Sequence, residues 1–255
     1  MPAMPASGVD LLCLPCAGAS ATMYLRWRRQ LPPWLRVQPV ELPGRGSRLD
    51  ESAATDFETL VAQLCAEQQA AMRGRYVLLG HSMGALLAYG MALRQQHAGA
   101  PMPLALVVSA SPAPGARDPA RFQNLQGDEA LMADLRRQGG TPEEVFAHAE
   151  LRRMTLDVLA ADYAVCQSFE LALQQAAQPL PCLSLPLQVL AGRQDDISAD
   201  AVQAWRQVST GPASVDWFDG GHFFIRQQEA QTLACLTRSL ARCAPGADHA
   251  TPAFA

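Results

Sequence analysis

Gly80-His81-Ser82-Met83-Gly84 sets one serine between two glycines. A serine hydroxyl is a weak nucleophile until a base takes its proton, and the base in turn needs a group that orients it. The chain offers five histidines: His81, His97, His148, His222 and His249. His222 follows two glycines in Gly220-Gly221-His222-Phe223-Phe224, so a tight loop can fold its imidazole back over a distant residue. Carboxylates are paired in Gly192-Arg193-Gln194-Asp195-Asp196-Ile197. Asp195, three residues after Gly192, is the preferred orienter of the imidazole, with Asp196 as its rival. Ser82, Asp195 and His222 together would perform acyl transfer through an acyl-serine. Such chemistry also needs N–H donors for the developing oxyanion. The amide of Met83, next after the nucleophile, is one. The second should come from Pro15-Cys16-Ala17-Gly18-Ala19-Ser20, where Ala17 is favoured and Cys16 is the runner-up.

These residues need a scaffold that brings them together. Tyr76-Val77-Leu78-Leu79 reads as a strand running into the serine, and Ala85-Leu86-Leu87-Ala88-Tyr89 as the helix after it. Strand, Gly-x-Ser-x-Gly, helix is the nucleophile elbow of an α/β-hydrolase. The rest of the chain keeps the same rhythm. Strands are expected at Val9–Leu14, Val37–Leu42, Leu104–Ser109, Leu187–Leu190 and Ser214–Phe218. Helices are expected at Met23–Leu31, Asp56–Met72, Ala199–Val208 and about Gln227–Cys243. Alternation of this kind predicts an α/β fold with a mostly parallel central sheet flanked by helices. In that fold the triad runs Ser, then acid, then His along the chain. The acid follows the strand before the last helix–strand unit and the histidine follows the last strand, which matches Asp195 and His222. His81 lies inside the elbow, where its side chain should point away from the nucleophile.

The rhythm breaks between about 116 and 181, where no strand is legible. Asp128–Gln138 reads as a helix stopped by Gly139-Gly140. Thr141-Pro142-Glu143-Glu144 reads as a helix start with threonine as cap and proline first. Glu150 to about Gln175 reads as one long helix. An all-helical insertion at this place predicts a lid over the site, the alternative being a helical decoration with no gating role. Met132, Leu135, Leu151, Met154, Leu156, Val158, Leu159 and Phe169 should give it apolar faces, packed on the sheet or lining an acyl chamber. The expected organisation is one domain over 9–243, with flexible ends at 1–8 and 244–255.

Composition narrows the partners. In 255 residues, 49% are hydrophobic and 17% charged, the balance of a chain with a large core. The net charge of −4 speaks against nucleic acid. The N-terminal residues lack a basic, then apolar, leader pattern, and no apolar run reaches membrane-spanning length. Seven cysteines without framework spacing fit free thiols, and a cytoplasmic location is expected. Cys13-Leu14-Pro15-Cys16 is formally a CxxC, but Cys13 falls in a strand rather than at a helix start, so a redox pair is disfavoured. Zinc-ligand spacings and nucleotide-binding glycine motifs are missing, so no cofactor is implied. Nothing in the pattern suggests an oligomer, and a monomer is expected.

Four further segments narrow the family. Leu14-Pro15-Cys16-Ala17-Gly18-Ala19-Ser20, Glu41-Leu42-Pro43-Gly44-Arg45-Gly46-Ser47-Arg48, Leu135 through Glu144, and Asp219-Gly220-Gly221-His222-Phe223-Phe224 join the elbow. Together they resemble the type II thioesterases that accompany non-ribosomal peptide and polyketide synthases, over nearly the whole chain from Leu11 to the last helix. The chain departs from that pattern at Ala19, which replaces a glycine. It departs again at Asp196, where the family often has proline, and at Ser109-Ala110-Ser111-Pro112, where a more basic stretch would stand. The resemblance implies hydrolysis of acyl thioesters on the phosphopantetheine arm of acyl or peptidyl carrier proteins, clearing aberrant or stalled groups in secondary-metabolite biosynthesis. It implies no cofactor in the enzyme itself. Two alternatives remain from the residues alone. One is a general esterase or lipase on oxygen esters. The other is a catalytically silent protein that binds a synthase.

Overall fold

The computed structural model describes residues 8–118, 120–122, 125–175 and 182–243. Six strands form one sheet in the order β2-β1-β3-β4-β5-β6, each paired parallel with its neighbour. They are β1 (Val9–Leu14), β2 (Leu35–Pro39), β3 (Tyr76–His81), β4 (Leu106–Ser109), β5 (Leu187–Gly192) and β6 (Ala213–Phe218). Side chains alternate across a strand, so a sheet covered on both faces needs apolar residues at odd and even positions alike. β1 shows this directly. Leu12 and Leu14 enter one core with Leu78, Val108 and Val189, whereas Leu11 and Cys13 enter the other with Val77, Leu79 and Val107.

Helices close both faces. A 3₁₀ helix (Ala21–Arg29) brings Tyr24 and Trp27 to one core, joined there by Leu233, Leu236 and Leu240 from the C-terminal helix. The other core receives α1 (Phe57–Glu67) and α3 (Met83–His97), with the short α2 (Gln69–Met72) between them in the chain. Among the described residues three helices stand between β4 and β5: α4 (Asp128–Gln138), α5 (Glu143–Ala147) and α6 (Ala149–Gln175). No strand interrupts the described residues of 116–181. α6 is anchored to the body of the protein. Ser168 Oγ accepts the Phe57 N–H at 2.8 Å, and the Phe57 and Phe169 rings lie 4.5 Å apart. After β5 come α7 (Ala199–Gln203) and a 3₁₀ turn (Ala204–Gln207). α8 (Phe224–Gln227) and α9 (Glu229–Cys243) follow β6.

Element boundaries differ from expectation in instructive ways. β2 begins two residues earlier and ends at Pro39. Val40 and Leu42 are buried in the segment beyond it, where Val40 still donates to the Cys13 carbonyl at 2.9 Å. The expected single helix from Asp56 to Met72 is interrupted at Gln68. The helix after β1 is a 3₁₀ helix capped by Ser20. Pro142, not Thr141, occupies the cap position of α5. On the insertion, Leu135, Leu156, Leu159 and Phe169 are buried as expected, and Met132 packs partly buried against the same core. Leu151 and Met154 are not: they are 49% and 41% exposed. At 3.6 residues per turn they fall roughly opposite Leu156 and Leu159 on α6, away from the body. The expected flexible ends lie outside the described residues, Gly8 excepted.

The strand order places the site. The chain runs from β1 outward to β2, then returns to the other side of β1 as β3. In an open parallel sheet, the crevice beyond the strand ends at such a reversal is where ligands bind. Leu14, the last residue of β1, pairs with Gly80 of β3. The loop after β1 therefore emerges beside the elbow. His81 pairs with Ser109, and Gly192 with Phe218. The four loops that carry the candidate residues thus leave the same edge of the sheet.

Candidate active site

Ser82 stands between β3 and α3 with φ 56° and ψ −114°, one of two non-glycine residues with positive φ among those described. Such a backbone costs on the order of 1–3 kcal/mol and needs surrounding structure to hold it. The Ser82 N–H donates to the Ser109 carbonyl of β4 at 2.7 Å. The flanking glycines are required by close packing rather than by their own torsions. A Cβ on Gly80 would strike the Gly84 carbonyl, and one on Gly84 would strike the Leu14 carbonyl. Met83 opens α3. The first-turn N–H groups of a helix have no acceptor within it, so this amide is available to an anion.

Asp195 and His222 are brought together by a zipper between two loops. Arg193 N–H donates to Phe218 O at 2.8 Å and Gln194 N–H to Gly220 O at 3.0 Å. A Cβ on Gly192 would sit 2.5 Å from the Gly221 carbonyl oxygen, so only glycine lets the loops approach this closely. His222 Nδ1 then meets Asp195 Oδ2 at 3.0 Å. The Asp195 side chain is 7% exposed, whereas that of Asp196 is 76% exposed and faces Arg137 at 3.6 Å. Of the two adjacent carboxylates, Asp195 is the one that meets the imidazole. With Nδ1 donating to the carboxylate, Nε2 is left as the acceptor. That Nε2 is buried and has no hydrogen-bond partner among the described residues. Ser82 and His222 line one cavity of about 400 Å³, and Ala17, Met83 and Asp195 line it with them. Catalytic hydrogen bonds in unliganded enzymes are commonly long and close when substrate binds.

His81 is more involved than its place in the elbow suggested. Its ring is fully buried, with Nδ1 hydrogen-bonded to Ser109 Oγ at 2.9 Å. It lies 5.3 Å from the His222 ring and 5.7 Å from Phe223. Burial, then the neighbouring His222 and Arg226, holds its pKa well below the ordinary histidine value. It is therefore a neutral spacer beneath the candidate base.

The cavity wall opposite comes from the insertion. Arg117, Arg121, Phe122, Tyr163 and Cys166 line it. Arg117 Nε is 3.3 Å from the buried Glu170 carboxylate, and its guanidinium lies over the Phe122 ring. Burial pushes the Glu170 carboxyl upward, and Arg117 offsets this only in part. Asp134 differs: burial would raise it, but hydrogen bonds from Arg121 and Tyr163 more than compensate and leave it lowered. The eight apolar insertion residues were expected to pack on the sheet or to line an acyl chamber, and none of them lines this cavity. Leu135 lines a second cavity of about 200 Å³, bounded also by Cys16–Ser20, Phe223 and Arg226.

Sequence reasoning missed the charges buried on the insertion: Asp134, Asp162 and Glu170. A signal existed. Each falls on the stripe that carries the buried apolar residues of its helix, where an acidic side chain has no place unless partnered. The CxxC pair is two buried free thiols, Cys13 and Cys16. Burial pushes the Cys16 thiol up to about 12, so it is inert.

The chain is similar to known thioesterases over most of its length. The family model described as "Thioesterase domain" matches residues 9–240. The chain is 33% identical over 228 residues to the thioesterase PikA5 of Streptomyces venezuelae, covering 88% of this chain and 78% of that one. It is 29% identical over 236 residues to the gramicidin S biosynthesis protein GrsT of Aneurinibacillus migulanus, covering 92% and 90%. Among solved structures, the type II thioesterase BorB from the borrelidin biosynthetic cluster superposes with a TM-score of 0.80 at 36% identity, covering 94% of this chain and 95% of that one. The fold is that of the α/β-hydrolases, and the chain belongs to the thioesterase family.

Proposed function

We propose that this protein is an editing thioesterase of a non-ribosomal peptide or polyketide pathway. Its substrates are acyl thioesters on the phosphopantetheine arm of acyl or peptidyl carrier proteins. The observation that carries the reading is the His222–Asp195 hydrogen bond, which leaves a buried Nε2, unpartnered among the described residues, on a histidine that lines the same cavity as Ser82. Relatives whose names tie them to gramicidin S and borrelidin biosynthesis support the substrate class.

In this reading His222 Nε2 takes the Ser82 proton as Oγ attacks the thioester carbonyl. Negative charge gathers on the carbonyl oxygen, which the Met83 and Ala17 amides receive. The C–S bond breaks and the pantetheine thiol leaves with the proton from His222. Water then gives a proton to His222 and attacks the acyl-serine. Collapse of the second tetrahedral adduct releases the carboxylic acid and returns the proton to Ser82. Asp195 holds the imidazole in the productive tautomer throughout and stabilises its cationic form. No step requires a metal or a cofactor of the enzyme's own. The arm belongs to the carrier protein. Residues 9–243 act as one domain, with the helical insertion at about 116–181 as a lid, in a cytoplasmic monomer.

The test is acyl release from an acyl-phosphopantetheinyl carrier protein, measured beside a matched oxygen ester and with Ser82→Ala. Ser82-dependent release that is faster from the carrier is the expected result. Cleavage of the free ester with no preference for the carrier would leave a general esterase. Biological function that survives Ser82→Ala would favour a silent binding partner.

A further inference from the structure

The loop after β1 has almost nothing with which to hold itself in place. Cys16-Ala17-Gly18-Ala19-Ser20 contains one internal backbone bond, from Ala19 N–H to Cys16 O at 3.1 Å, and Gly18 stands at φ +74°. Its position is set from outside by two carboxylates. Glu41 accepts from Ser20 Oγ at 2.8 Å and from Ala21 N–H at 3.0 Å, which fixes the far end. Asp162 of α6 accepts from Gly18 N–H at 2.8 Å, which fixes the middle.

Asp162 is itself gripped. Arg45 donates to both of its oxygens, each at 2.6 Å, and Arg45 Nη1 also reaches the Ala19 carbonyl at 3.3 Å. Asp162 is 1% exposed and Arg45 5%. The turn that aims Arg45 admits little else. Gly44 and Gly46 both have positive φ, and a Cβ on Gly46 would run into the Glu41 carboxylate. A buried ion pair of this kind is poor evidence for stability, because well-packed apolar residues commonly serve as well or better. What apolar residues cannot provide is an acceptor for the Gly18 amide and a donor for the Ala19 carbonyl. The Gly18 amide is engaged by Asp162, and Ala17 beside it is the residue of this loop that lines the Ser82 cavity.

We propose that Asp162 and Arg45 are positioning residues for thioester hydrolysis: the pair ties the insertion helix to the loop after β1 and so holds the Ala17 amide where the oxyanion forms. This rests on the reading of Ala17 as an oxyanion donor. One such donor is worth about 10²–10³-fold in kcat, and a misplacement of about 1 Å can cost about 10²-fold.

The experiment compares the parent with Arg45→Met/Asp162→Leu, which removes the pair without stranding a charge, and with Arg45→Lys, which keeps charge but loses the fork. Readouts are Tm, kcat and KM on an acyl-pantetheine thioester, and the affinity of an alkyl boronic acid that forms a tetrahedral adduct on serine. The double variant is expected to fold with kcat lowered about 10²-fold, KM within about threefold and boronate affinity lowered in parallel. Arg45→Lys should lose about tenfold in kcat at unchanged KM, and it decides the matter if the double variant does not fold. Variants that lose stability but keep parental kcat and boronate affinity per folded molecule would overturn the proposal. Boronate binding and turnover that survive Ser82→Ala would instead sink the reading of the site, and the proposal with it.

Discussion

Replacing Asp195 and Asp196 separately by asparagine separates two carboxylates that sit side by side in sequence. The Asp195 oxygen lies 3.0 Å from His222 Nδ1, on a side chain only 7% exposed. Asparagine there keeps the shape but removes the charge that favours the imidazolium. It also allows the ring to settle with its proton on Nε2, the nitrogen that must accept from Ser82. Loss of the corresponding charge in serine triads costs about 10⁴-fold in kcat, equivalent to about 5 kcal/mol of barrier. Asp196 makes only a 3.6 Å approach to Arg137 with its side chain 76% exposed. A solvent-screened pair of that kind should move kcat/KM by no more than about threefold. The assay is thiol release from an acyl-pantetheine at neutral pH, with Tm recorded for each variant. A ratio of at least about 10³ between the two variants is expected. A loss of less than about tenfold for Asp195→Asn, or equal losses for both, would refute the assignment of the imidazole's partner.

Three further outcomes follow from the packing. Gly84→Ala should cost about 2–3 kcal/mol, because its Cβ meets the Leu14 and Pro15 carbonyl oxygens and must push α3 off β1. Calorimetry should record a fall in Tm of roughly 4–12 °C, and an unchanged Tm would show that the elbow has slack. His81 gives an acid dependence. Its folded pKa lies well below 6.5, so the unfolded chain binds the proton first. Stability is full above about pH 6.5 and falls below it, by up to about 1.4 kcal/mol per pH unit for this one group. Urea titrations at stepped pH, with His81→Asn as control, check this, and equal slopes for both proteins would count against it. Among the described residues only Cys182 is an exposed cysteine, and Cys13 and Cys16 are buried. Brief alkylation followed by peptide mass spectrometry should mark Cys182 and spare the other two. Labelling of Cys16 at a matching rate would mean that the loop after β1 opens freely.

The scaffold was legible because its signals are local. A parallel sheet covered on both faces writes itself as short apolar runs, and β1, β3 and β5 read that way. Gly80 and Gly84 were legible as a pair because an elbow has no room for a side chain at either place. Asp195 was separable from Asp196 only in part, since neighbouring residues in a turn diverge by small torsions that sequence does not encode. The broken helix at Gln68 and the 3₁₀ geometry of Ala21–Arg29 were not legible. Apolar spacing of three or four residues serves both helix types. The outward face of Leu151 and Met154 was missed because apolar residues were counted without fixing the phase of the long helix.

The buried acids mark the deeper limit, and one of them, Asp162, shows how the insertion is joined to the body. Periodicity ranks residues by hydrophobicity, so Asp134, Asp162 and Glu170 registered as interruptions of an apolar stripe. In the structure each faces an arginine from elsewhere in the chain: Arg121 for Asp134, Arg45 for Asp162 and Arg117 for Glu170. A carboxylate left in that interior without its arginine would be strongly unfavourable, so each pair admits few alternative placements of its helix. Apolar contacts alone would hold α6 against α1 and α3 while tolerating small slides. The directional pair Arg45–Asp162 removes that freedom at the point where α6 meets the loop after β1. The same helix supplies Tyr163 and Cys166 to the cavity wall one residue and one turn further on. The cavity wall and the loop after β1 are therefore tied to one another through the same helix, which an insertion held by apolar packing alone would not achieve.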